Sequence, residues 1–69
     1  MQKYITEYRI NKKGAECFRS RNFQETIDRL HDLSKNRPGV YTMQARSCYV
    51  NKYGVMNQVN GRPAWSPWK

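Results

Sequence analysis

Apolar and polar side chains alternate with the two-residue period of a strand over residues 3 to 11, KYITEYRIN. Tyr4, Tyr8 and Ile10 share one face, while Ile5, Glu7 and Arg9 share the other. A half-buried strand is predicted there. Asn11, Lys12, Lys13 and Gly14 follow, and glycine supplies the positive φ that a short hairpin loop needs. Residues 15 to 19 are therefore predicted to run back as a second strand. The period then lengthens. Asn22 with Glu25 three residues on forms the side-chain half of a capping box, and Phe23, Ile27, Leu30 and Leu33 make one apolar stripe. This predicts a helix of about three turns. Glu25 and Arg29 are spaced to pair on its wet side, for about 0.3 to 0.5 kcal/mol. Asn36 is expected to cap the helix in a left-handed conformation, and Pro38-Gly39 opposes any continuation.

Residues 40 to 50 are rich in strand formers, with Tyr41, Met43, Ala45 and Tyr49 on the face assigned to the core and Thr42, Gln44 and Arg46 on the other. Residues 51 to 54 read as a turn and 55 to 59 as another strand. Asn60-Gly61 is the strongest hairpin signal in the chain, and Pro63 makes residues 62 to 66 an edge strand or a tail. The order strand, strand, helix, strand, strand predicts a small two-layer α+β domain, an antiparallel sheet of about four strands with the helix on one face. The domain spans residues 1 to 62, and residues 63 to 69 form an extended segment containing both tryptophans. The sheet face bearing Glu7, Arg9, Thr42, Gln44 and Arg46 is expected to be open.

A chain of 69 residues is one domain at most, and one of this size buries only about 60% of the surface its unfolded chain exposes. Stability is expected to be thin. A second subunit, a metal or a disulfide is a common support at this size. Met1-Gln2-Lys3-Tyr4 carries no apolar stretch of the kind a secretory leader uses, so a reducing, cytoplasmic compartment is expected. There Cys17 and Cys48 read as small buried hydrophobes. No apolar run approaches the roughly 20 residues that span a bilayer, so no membrane partner is expected.

Charge is the strongest functional signal. Thirteen Lys and Arg face five Asp and Glu, and three of those acids, Glu25, Asp28 and Asp32, lie in the predicted helix. Residues 22 to 34 hold one Arg against three acids, which leaves twelve basic residues against two acids elsewhere. Lys and Arg on loops at the ends of a small sheet track a phosphate backbone by displacing its condensed counterions. An acidic helix would be repelled by a groove lined with phosphates, so strands and loops are the better readers. The candidate nucleic-acid contacts are Arg9, Lys12, Lys13, Arg19, Arg21, Gln44, Arg46 and Lys52, with Tyr53 as a turn aromatic able to stack on a base.

Signals for catalysis are weak. His31 is the only histidine, and its nearest companion is Asp28, three residues earlier on the helix. Cys17, His31 and Cys48 lack the spacing of zinc ligands, and the helix acids fall where a solvated face belongs. There is no Walker A loop, dinucleotide fingerprint or nucleophile elbow. No enzyme activity, cofactor or metal is expected.

YRINKKGAECFRSRNFQETIDRL, residues 8 to 30, resembles the strand, turn, strand and Phe-led helix layout of the arm-type DNA-binding domains of phage integrases. The resemblance implies a three-stranded sheet that reads DNA, with Arg9 on the first strand and Arg19 and Arg21 before the helix as matching positions. Two strands follow the helix here, where that family usually ends or continues into another domain.

Two readings follow. The first is a small basic, non-catalytic module that contacts DNA or RNA through the open sheet face and basic loops. The second is a protein-binding regulator or inhibitor, of the accessory kind that phages and mobile elements encode, docking on an acidic surface of a larger protein. Trp65, Trp68 and Arg62 would be its anchors, because paired tryptophans either close a small core or serve as hot spots. An exposed strand edge also offers a route to a homodimer.

Overall fold

The computed structural model describes residues 3 to 69; residues 1 and 2, included in the predicted domain and N terminus, lie outside the described residues. The elements are β1 (Lys3–Lys12), β2 (Ala15–Ser20), α1 (Phe23–Asn36), β3 (Tyr41–Val50), β4 (Gln58–Val59) and β5 (Arg62–Pro63). The predicted α+β order is found. Strands β2, β1 and β3 form one antiparallel sheet with β1 in the centre, while β4 and β5 form a separate small ladder.

The first hairpin turns on Lys13 and Gly14, with φ of 52° and 80°. Two left-handed residues make the two-residue turn whose twist matches the flanking strands, so β1 runs on to Lys12, further than predicted. Ile10 faces Phe18 but Asn11 faces Glu16, which leaves Cys17 as the extra residue of a β-bulge. Strand β3 pairs with the whole of β1, from Lys3 opposite Val50 to Lys12 opposite Tyr41. The register puts Tyr8 beside Ala45 and Ile10 beside Met43 on one face, and Glu7 beside Arg46 and Arg9 beside Gln44 on the other. This is the division that the alternation predicts.

Helix α1 begins as expected, with Asn22 Oδ1 accepting from the Glu25 N–H at 2.9 Å. Its end differs. The helix continues through Asn36 and closes on Arg37, at φ −135° and ψ 84°, whose N–H donates to the Leu33 carbonyl at 2.8 Å. Pro38 explains the difference, because proline disfavours the helical region for the residue before it and drives Arg37 to extended backbone. The helix packs over β1 and β2, where Thr26 and Ile10 are fully buried and Phe23 meets Tyr8 edge to face, ring centroids 5.3 Å apart. Ile27, Leu30 and Leu33 are only half-buried, and Phe23 is 51% exposed.

Beyond β3, the Asn51 side chain accepts from the Tyr53 and Val55 N–H groups and Gly54 takes a φ of 79°, forming the predicted turn. The strand predicted over residues 55 to 59 shortens to a bridge between Met56 and Val50, then β4. Asn60 and Gly61 make the expected hairpin, with φ of 54° and 78°. Pro63, lacking an N–H, sits in its ladder opposite Gln58.

Residues 64 to 69 then return along the outer edge of β3. The Ser66 N–H donates to Ser47 O at 2.8 Å, and Ala45 and Lys69 exchange two backbone hydrogen bonds of 3.0 Å. The Ser47 N–H also donates to Ser66 Oγ at 2.9 Å. The Trp65 and Trp68 rings of this segment lie over Arg9 and Arg46, so the centre of the sheet face predicted to be open is covered, while Thr42 at its end stays exposed. Buried hydrophobics lie on both sides of the sheet, Ile10 under the helix and Cys48 and Val50 in register with Ile5 and Lys3 on the opposite side. Of the two cysteines expected to be buried, Cys48 is and Cys17 is exposed, because a bulge residue has no place in the pleat.

Candidate nucleic-acid interface

Five predicted contact residues, Arg9, Arg19, Arg21, Gln44 and Arg46, meet on the covered face. Arg46 donates to Glu7 Oε1 through Nε at 3.0 Å and Nη2 at 2.6 Å, while Arg19 and Arg21 approach the same carboxylate at 3.6 and 3.8 Å. Arg9 donates to Gln44 Oε1 through Nε at 2.9 Å and Nη2 at 2.7 Å, and Asn11 Nδ2 adds a third donor at 2.8 Å. Glu16 accepts from Arg19 at 3.1 and 2.6 Å and lies 3.9 Å from Arg9. The hydrogen bond from Arg19 holds the Glu16 carboxyl below the usual glutamate range, and the same bond raises Arg19.

The two tryptophans lie among these guanidiniums. Arg46 stands 4.4 Å from the Trp65 ring and 4.5 Å from the Trp68 ring. Arg9 is 4.3 Å from Trp68, and Arg21 is 5.6 Å from Trp65. A guanidinium over an indole face gains from the ring quadrupole. Pro67, without an N–H, falls between Ser66 and Lys69, which make the bonds to β3, so the strap is pinned on either side of it.

Gln44 is engaged by three donors, and the side chains of Arg9 and Arg46 are 24% and 20% exposed, so these three are held inward. Arg19 and Arg21 keep 42% and 56% of their side-chain surface. The face retains two surplus positive charges, from four guanidiniums against two carboxylates. Trp65 and Trp68 are half-buried in the fold rather than projecting, whereas Arg62 is exposed. Lys52 and Tyr53 are both exposed in the turn after β3, the ammonium 5.2 Å from the ring.

A second basic region lies elsewhere. Thirteen residues are basic, and only Arg9, Arg19, Arg21 and Arg46 have a carboxylate within ion-pair distance, so nine have none among the described residues. The topology gathers five of the nine toward one end. Lys12 and Lys13 come from the first hairpin, Arg29 and Lys35 from α1, and Arg37 from its C-cap. Arg29 forms no ion pair with Glu25 as the spacing predicts; it lies 5.4 Å from the Phe18 ring, and Glu25 instead accepts from Ser20 Oγ at 3.5 Å. The grouping of Lys35 with Arg37 is visible in the sequence, but Arg29 was masked by its spacing to Glu25.

His31 is exposed, and Asp28 accepts from Gln24 Nε2 at 3.0 Å. Among the described residues no group of three or more His, Cys, Asp or Glu is placed to hold a metal, and no helix is long and apolar enough to cross a membrane. No protein-family model, curated protein or solved structure matches the chain.

Proposed function

We propose that the protein is a small basic module that binds nucleic acid without chemistry of its own, contacting the phosphate backbone with the hairpin and helix end rather than with the centre of the sheet. The supporting observation is the set of nine basic side chains with no carboxylate partner among the described residues, five of them at one end. Uncompensated Lys and Arg held on rigid elements displace condensed counterions from phosphates. Arg19 and Arg21, partly exposed at the edge of the Trp and Arg stack, extend the contact surface. Free Cys17 and Cys48 suit a reducing compartment such as the cytoplasm.

The test is fluorescence anisotropy with mixed-sequence DNA and RNA, single and double stranded, across a salt series. Five phosphate contacts on duplex DNA predict a log-log slope of about −4.5, or an affinity loss of about 500-fold between 50 and 200 mM salt. Absence of any complex at about 50 mM salt overturns the proposal.

The second reading, a protein-docking regulator, is favoured by a different observation. Tyr4, Phe23 and Tyr49 are 58%, 51% and 38% exposed, and the accessible surface is 5392 Å² where a compact chain of 8.3 kDa has about 4,600 Å². Copurification with and without nuclease separates the readings. One stoichiometric protein retained after digestion supports docking, and loss of all partners supports nucleic acid.

A further inference from the structure

We infer that a cavity between α1 and the first hairpin is a site for a phosphomonoester, either the phosphorylated end of a nucleic-acid strand or a free mononucleotide; the strand-end form rests on the function proposed above. The cavity has a volume of about 530 Å³, and Lys12, Arg29, Arg37, Asp32, Leu33 and Tyr41 line it. Pockets of about 300 to 1,000 Å³ take ligands of nucleotide size. Three cations against one carboxylate leave a charge of +2, and none of these four side chains forms an ion pair among the described residues. An internal phosphodiester brings a single negative charge, whereas a phosphomonoester carries about −1.5 to −2 near neutral pH, which matches the lining.

The cations are also pre-positioned. Lys12 Nζ lies 5.4 Å from the Tyr41 ring, and the Arg29 guanidinium lies 5.4 Å from the Phe18 ring. Aromatic faces orient a cation without neutralising it, so its N–H groups remain available to an anion. Lys12 further lies across Gly39, where a Cβ would come within 2.7 Å of its Cε. The Tyr41 hydroxyl donates to the Arg37 carbonyl and ties the loop that carries Arg37 to β3. The carbonyl end of a helix opposes an anion, but that end carries only about half a charge, and the Leu33 carbonyl is already taken by the Arg37 N–H. Leu33 and Tyr41 provide the apolar and aromatic surface that a nucleoside needs.

The experiment uses the full chain. Amide resonances are followed during titration with inorganic phosphate, AMP and adenosine. Anisotropy is measured in parallel for otherwise identical strands phosphorylated at the 5′ end, at the 3′ end or at neither. Phosphate and AMP are expected to shift residues 33, 37 and 41 at concentrations at which adenosine, lacking the phosphate, leaves them unmoved. One phosphorylated strand should bind about tenfold tighter than the unphosphorylated strand, a difference of about 1.4 kcal/mol. Arg29→Ala with Arg37→Gln should remove that preference while leaving the circular dichroism unchanged. If those two substitutions unfold the chain, Lys12→Ala serves as the second variant with the same expectation.

Equal binding of all three strands, with no shift from phosphate or AMP, overturns the site and leaves general backbone binding standing. Binding of AMP at those residues with no strand bound supports the site and overturns the nucleic-acid reading.

Discussion

Glu7 shows how much one carboxylate can organise. It is 8% exposed and faces three guanidiniums, with Arg46 bonded through two nitrogens. Removing one partner of a largely buried pair strands the other charge, so Glu7→Ala should cost about 2 to 4 kcal/mol. A chain of this length has about 3 to 10 kcal/mol of stability in total, so the urea midpoint should fall sharply. Glu16 behaves differently because it is a third exposed and screened by water. Arg19 lowers its pKa, so the pair supports the fold above the ordinary glutamate range and loses that contribution as pH falls through the depressed value. In Arg19→Ala the Glu16 titration, followed by carboxyl NMR, should move upward, with Arg9 and Arg46 still holding it down in part. Alternation in the sequence placed Glu7, Arg9 and Arg46 on one face. That Glu7 meets Arg46 depends on strand register, which alternation alone leaves undetermined between turns.

At the level of elements, the return of residues 64 to 69 turns a two-layer arrangement into one with a cover on each side of the sheet. Trp68 touches Arg9, Arg46 and, at 5.5 Å, Arg19, so it joins all three strands of the main sheet to the chain end. Trp68→Ala should therefore lower stability by about 2 to 3 kcal/mol, less than a fully buried tryptophan because the ring is half-exposed. Urea unfolding checks this; a change within about 0.5 kcal/mol, typical of a surface site, would mean that the strap is not structural. Local rules located α1, both hairpins and the stop before Pro38. The strap was not legible, because its partners are arginines 19 to 59 positions away and composition alone fits either a packed or a projecting tryptophan pair.

Across the whole molecule the charge is unevenly distributed. Acids serve the covered sheet face and the wet side of the helix, while the hairpin and helix end carry cations with no carboxylate at ion-pair distance among the described residues. Lys13→Ala with Arg37→Ala should reduce the salt-dependence slope on duplex DNA by about 1.8, whereas Lys52→Ala alone should reduce it by about 0.9 or less. Equal slopes in all three chains would place the contact surface elsewhere. The molecule is also long for its mass, 42 by 23 by 15 Å, and its radius of gyration of 14.1 Å exceeds the roughly 11 Å of a compact chain of this length. Surplus charge was readable from composition, but its gathering at one end required the antiparallel path of α1 beside the first hairpin. The bulge at Cys17 has a practical corollary: it sets a reachable thiol on the rim of the cationic cavity, while Cys48 stays sealed inside. A maleimide dye would thus attach at a single position, and the labelled chain would report by its own emission whatever enters beside it.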